Sequence, residues 1–171
     1  NDEVIQNKLK AKRIDKNYNY ISKNFFYNIF GNFAYYCIAK PITWFIFKFI
    51  RRISYKNKKI LKRYKKGGYF IYCNHTDAWS DALSPALICN PKKPRLICNS
   101  ENLSIPVIGF LAKQWGALPL PDDLQATKNF YSAIEQTLNK NAPIVIYPEA
   151  HLWPYYTRIR PYSNLSFRYP I

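Results

Sequence analysis

The chain has 171 residues, 48% of them hydrophobic and 18% aromatic, a composition that excludes intrinsic disorder and supports one domain with a sizeable core. Its net charge of +16 is unevenly placed: residues 1–66 carry 17 Lys and Arg against Asp2, Glu3 and Asp15, whereas residues 67–171 carry 9 against 7 acids. A basic, amphipathic N-terminal extension over residues 1–66 is therefore expected to precede a nearly neutral α/β domain over residues 67–171, and its field favours anionic partners.

The first 20 residues are polar and charged, so no secretory signal is visible. Methionine is absent even at position 1, which reads as a removed start or a fragment. Residues 25–53, "FFYNIFGNFAYYCIAKPITWFIFKFIRRI", follow. Phe25, Phe26, Ile29, Phe30 and Phe33 repeat at helical spacing, as do Ile42, Phe45, Ile46, Phe49, Ile50 and Ile53. Lys48 and Arg51 fall opposite the second stripe, although Trp44 and Phe47 interrupt that polar side. Pro41 predicts a break between two short helices, because the residue before a proline is pushed out of helical geometry. The uncharged run from Asn24 to Ala39 is shorter than a spanning helix needs. Aromatic helices followed by the lysine-rich run 55–66 suit a membrane interface with anionic lipids. A helical hairpin packed on its own domain is the plainer alternative. Interleaved basic and aromatic residues also suit single-stranded nucleic acid, but no nucleic-acid-binding signature is present and no such partner is expected.

After Gly67-Gly68 the texture changes. Strands are predicted at 69–73, 95–99, 117–120 and 144–147, with helices near 78–88, 104–115 and 124–139 and caps at Asp122 or Asp123. Alternating strands and helices imply a largely parallel sheet flanked by helices. The four cysteines, Cys37, Cys73, Cys89 and Cys98, form no C-x-x-C pair and read as reduced core thiols of a cytosolic setting.

Ligands of open α/β sheets bind at the carboxyl ends of strands. "NHTDAWSD" (74–81) leaves the first strand there and "PEAHLWP" (148–154) leaves the fourth. Both histidines, His75 and His151, and Glu149 are thus expected on one edge. A neutral imidazole can take a proton from an attacking hydroxyl, and a carboxylate on its other nitrogen fixes the tautomer. Asp81, in the first turns of a helix, is the preferred partner of His75; Asp77 competes for that role but is equally placed as an N-cap. There is no G-x-S-x-G elbow, phosphate-binding glycine loop or H-E-x-x-H. A metal site from Cys73, His75 and Asp77 lacks an evident fourth ligand, so no metal is expected. Without a protein nucleophile, direct attack by a substrate hydroxyl on an activated acyl group fits best.

Three blocks carry a resemblance. "NHTDAWSD" resembles the N-H-x4-D block of the glycerolipid acyltransferases, the lysophosphatidic acid acyltransferase family, in a bacterial-type variant. "IPVIGFLAKQWGALPLP" is similar to the family's P-x-x-G-x-x-x-x-x-x-G block, and "YPEAHLWP" stands where the family has P-E-G-T-R. The resemblance covers about residues 66–171. It implies a His75–Asp81 catalytic dyad and transfer of a fatty acyl group from acyl-CoA or acyl carrier protein, a co-substrate rather than a cofactor, to a hydroxyl of a glycerol-phosphate or lysophospholipid. It further implies acceptor placement by Asn74, Glu149 and its loop, and a peripheral or shallowly inserted position at the cytoplasmic face of the membrane.

The chain departs from the family at several positions. Five residues rather than four separate His75 from Asp81; Pro119 and Asp122 replace Phe and Arg; Ala150, His151 and Leu152 replace G-T-R. Arg158 and Arg160 are either substitute phosphate ligands or part of an ordinary solvated loop, and His151 is either a second donor or structural. The chain ends at "SFRYPI", before the family's last block, so a degenerate member that binds membrane without catalysis is the alternative function.

Overall fold

A computed structural model describes residues 12–104, 108–162 and 164–169. Four strands, β1 (Phe70–Tyr72), β2 (Arg95–Cys98), β3 (Ala117–Pro119) and β4 (Ile144–Ile146), form one sheet in the order β1-β4-β2-β3. Every pairing is parallel, with Phe70 opposite Ile144, Arg95 opposite Ile144 and Leu96 opposite Ala117. The strands are shorter than the expected apolar runs, but their ladder continues past both ends of β1: Ile144 N donates to Tyr69 O and Cys73 N to Ile146 O. Pro119 is tolerated because β3 is an edge strand and Pro119 is its last residue.

Helix α1 spans Phe25–Ile50, and α2 (Ala78–Ile88), α3 (Ile108–Trp115) and α4 (Leu124–Asn139) connect the strands. Asp123 caps α4 by accepting from Ala126 N, while Asp122 accepts from Ile14 N. Along α4 the buried residues Ala126, Phe130, Ala133, Ile134 and Thr137 keep helical spacing. Phe130, Ala133 and Ile134 meet Leu118, Ile144 and Ile146 in the main core. Ile14 and Tyr20 belong to this same cluster, so packing crosses the expected boundary at residue 67 and reaches well into the basic extension.

The break expected at Pro41 is absent. Lys40 keeps helical angles, φ −69° and ψ −44°, and α1 continues for 26 residues, about 39 Å at 1.5 Å per residue. Two stretches, Ala34–Ala39 and Ile46–Ile50, are π-helical. The wider turns before Pro41 relieve the clash that its ring makes with the preceding turn. By length and composition α1 is apolar enough to cross a membrane.

One side of α1 lies on the domain. Tyr35, Ala39 and Thr43 line a small gap with Ala82, Leu83 and Ala86 of α2 and with Trp115, and Gly31 lies so close to Gln114 that a side chain there would press on it. Phe47, which spoils the polar face in sequence, is 2% exposed. The apolar stripes instead face outward: Phe26 is 80% exposed, and Ile29, Phe30, Phe33, Ile42, Phe45, Phe49 and Ile50 are exposed beside it.

Candidate active site

β1 and β4 are neighbours in a parallel sheet, so the loops leaving their carboxyl ends must meet. They are stitched together by backbone bonds: Trp153 N donates to His75 O at 2.8 Å and Tyr155 N to Thr76 O at 3.1 Å. His75 lies outside α2, on the loop, and Asp81 lies in the helix's first turn. That offset lets the side chains face each other across six positions. His75 Nδ1 is 2.8 Å from Asp81 Oδ2.

The same carboxylate oxygen accepts from Thr76 N at 2.8 Å and Asp77 N at 3.0 Å. Asp81 is thereby fixed by the backbone that carries His75. The imidazole also lies against the Tyr147 ring, centroids 4.8 Å apart, and Tyr147 Oη donates to Asp81 O at 2.6 Å. Burial first, then the nearby Cys73 and Asp81, raises the Tyr147 phenol above its ordinary range. It therefore stays a neutral donor. The His75 side chain keeps 27% of its surface exposed, so the ring is reachable.

Asp77 has a different task. Its carboxylate caps α2 by accepting from Trp79 N and Ser80 N, takes the Ser80 hydroxyl, and pairs with Arg51 just beyond the end of α1. Burial works against ionisation, but the bonds from Arg51 and Ser80 outweigh it and hold the carboxyl below its ordinary value. Among the described residues no three metal-ligating side chains converge. Burial, with Asp81 nearby, pushes the Cys73 thiol up to about 11, which leaves it protonated and a poor nucleophile at neutral pH.

The remaining predicted residues spread along the same loops. Asn74 is exposed beside His75. Glu149 is 8% exposed; its Oε1 accepts from Arg160 N at 3.4 Å, and its buried Oε2 has no partner among the described residues. The Arg160 guanidinium stacks on Trp153 at 3.3 Å and also approaches Tyr156, so it is held by aromatic faces. His151 and Arg158 are exposed. Ala150 adopts φ +61°, a left-handed conformation that suits the glycine of the family's third block.

Both glycines of the second block have packing reasons. A Cβ on Gly109 would collide with the Leu103 carbonyl, and Gly116 combines φ +109° with close approach to Pro94 O. Pro106 lies outside the described residues. Sequence reasoning missed Tyr147, Thr76 and the Arg51–Asp77 pair. Tyr147 immediately precedes the third block, but only the β1–β4 adjacency reveals what it touches.

Comparison with curated proteins and with solved structures gives no match. A family model described as Acyltransferase matches residues 52–169, well over half of the chain and inclusive of every loop just described. The chain belongs to the acyltransferase family, in keeping with the glycerolipid-acyltransferase resemblance of its three blocks, and its general chemistry is acyl transfer.

Proposed function

We propose that the protein is an interfacial acyltransferase that moves a fatty acyl group from a thioester of CoA or acyl carrier protein to a hydroxyl of a glycerol-phosphate or lysophospholipid, with His75 as general base. The His75 Nδ1–Asp81 Oδ2 contact of 2.8 Å carries this reading. A carboxylate there holds the proton on Nδ1 and leaves the Nε2 lone pair free. The acceptor O–H gives its proton to Nε2 as its oxygen bonds to the thioester carbonyl carbon. The tetrahedral intermediate then breaks its C–S bond, and the departing sulfur takes the proton from Nε2.

Asn74, Glu149, His151, Arg158 and Arg160, on the loops leaving β1 and β4, place the acceptor. Arg160 offers a guanidinium for its phosphate. Helix α1 lies in the membrane interface with Phe26, Ile29, Phe30 and Phe33 in the acyl region. The exposed aromatic band supports this, because an apolar patch of that size marks an interaction surface. Peripheral attachment at the cytoplasmic face follows from the same reading. The test is acyl transfer from both donors to a panel of lysolipids and glycerol 3-phosphate. His75→Ala is expected to slow transfer by roughly two to four powers of ten; turnover at the wild-type rate in that variant rejects the assignment.

A further inference from the structure

One well-formed cavity lies away from the dyad. It encloses about 280 Å³ and lies between the first turns of α1 and the opposite edge of the sheet. Lys93 and Arg95 stand at the start of β2, Lys113 and Gln114 just before β3, and Lys140 before β4. In an all-parallel sheet these are amino-terminal ends, so the cavity and His75 occupy opposite edges.

The cavity lining holds four cations and, among the described residues, no carboxylate. Among the described residues Lys93 Nζ is bonded only to the neutral Asn32 Oδ1, at 3.0 Å, and it lies over the Tyr35 ring. Lys113 Nζ lies over Tyr18. Three polar atoms of the lining are buried without a partner among the described residues: Arg95 Nη1, Tyr20 Oη and Gln114 Oε1, the last two on side chains more than nine-tenths buried. Guanidinium cannot shed its proton, so a half-buried arginine without an acid is costly unless an anion meets it. Burial, and after it the charge of Arg95, lowers Lys93 to about 8. A volume near the lower end of the roughly 300–1,000 Å³ typical of ligand sites suits a headgroup-sized ligand.

We propose that this cavity is a second ligand site, distinct from the dyad, that binds a phosphate group through Arg95, Lys93 and Lys113. Tyr20 Oη adds a hydroxyl donor. Tyr27 and Asn28 of α1 border the site, with the exposed Phe25, Phe26 and Ile29 on the same turns. A bound phosphate would therefore tie the start of α1 to the sheet. The phosphate belongs either to a free or soluble phosphorylated molecule or to an anionic lipid headgroup.

The experiment titrates the full chain with inorganic phosphate by calorimetry, and separately measures its binding to phosphatidylcholine vesicles with and without phosphatidic acid. Lys93→Gln/Lys113→Gln, which leaves the more buried Arg95 in place, is expected to weaken the response at least tenfold; His75→Ala is expected to leave it unchanged. Saturable phosphate binding lost in the double variant supports the site with a soluble source. A phosphatidic-acid requirement lost in the same variant supports a headgroup source. Binding of either kind that the folded double variant retains, or loses only in His75→Ala, overturns the proposal, as does a wild-type chain that responds to neither probe. Acyl transfer does not enter these readouts, so they stand apart from the fate of the dyad.

Discussion

Asp81→Asn isolates the electrostatic part of the proposed mechanism. Asp81 Oδ2 takes three hydrogen bonds, from His75 Nδ1, Thr76 N and Asp77 N. In the variant the two backbone N–H groups select the amide oxygen for that position and turn the NH₂ away. The fold and the imidazole orientation therefore survive. What disappears is a full negative charge beside the imidazolium that forms as the hydroxyl is deprotonated. Two unit charges about 4 Å apart interact by about 4 kcal/mol at an effective dielectric of 20. The pair is partly open to solvent, at 27% and 16% side-chain exposure, which reduces the loss to roughly 2–3 kcal/mol.

At 1.36 kcal/mol per tenfold this amounts to a roughly 30- to 150-fold slower transfer, less severe than removal of the imidazole itself. The assay is thioester-dependent acylation of a lysolipid in mixed vesicles, with thermal unfolding of the same preparations by circular dichroism. Asp77→Asn keeps a capping oxygen and faces Arg51 rather than His75, so its transfer rate is expected to stay within about threefold of wild type. A folded Asp81→Asn protein with an unaltered rate refutes the base-and-carboxylate mechanism. A larger effect at Asp77 than at Asp81 would assign the pairing to the wrong acid.

Ala150→Gly is expected to stabilise the fold by about 1 kcal/mol, because Ala150 sits at φ +61° where glycine carries no Cβ penalty; a melting temperature that fails to rise contradicts this. Cys37 is exposed, whereas Cys73, Cys89 and Cys98 are not, and burial holds the thiols of Cys73 and Cys89 at about 11 and that of Cys98 at about 12. A maleimide at pH 8 is thus expected to label Cys37 first. Cys73 and Cys89, with about one thiolate in a thousand, should gain about tenfold in rate per pH unit until their raised values are passed. Because the raised values favour the neutral thiol, the stability they confer is complete below pH 9 and fades as pH climbs toward 12; equal labelling of all four thiols at pH 8 contradicts the packing. Phe26→Ala/Phe30→Ala is expected to weaken sedimentation with anionic vesicles by two to three powers of ten, at about 2 kcal/mol per aromatic side chain removed from the interface; undiminished binding refutes the interfacial placement of α1.

The sheet and its connecting helices were legible because the apolar runs are bounded by turn residues and two of the helices carry their own caps, Asp77 and Asp123. The His75–Asp81 pairing was legible because a loop residue and a helical residue six apart have few ways to face one another. Strand order was not legible: nothing in "FIY" or "IVI" says that β4 inserts between β1 and β2, and Tyr147 gains its place against His75 from that insertion. The continuity of α1 through Pro41 was also hidden, since π-helical turns are a long-range packing solution that local preference does not encode. Ile14 and Tyr20 look like scattered apolar residues in a basic tail, and only the core they complete explains them.

On the proposed function, the course of α1 bears on how a water-soluble thioester and a membrane-held alcohol would meet. Near its start Gly31 abuts Gln114 at the amino edge of the sheet, and just past its end Arg51 grips Asp77, the capping residue of the helix that carries Asp81. The helix is thus fixed at both edges, and its exposed stripes define one plane with respect to the domain. If that plane is the lipid surface, the dyad's height above it is set by the Arg51–Asp77 contact rather than by a flexible linker. Loss of Arg51 then acts through position: Arg51→Gln keeps Asp81 bonded to Thr76 N and Asp77 N, so a soluble short-chain acceptor should be acylated at the wild-type rate while a vesicle-held one slows. Equal slowing of both acceptors would show that Arg51 supports the dyad itself and that α1 does not hold it in register with the membrane.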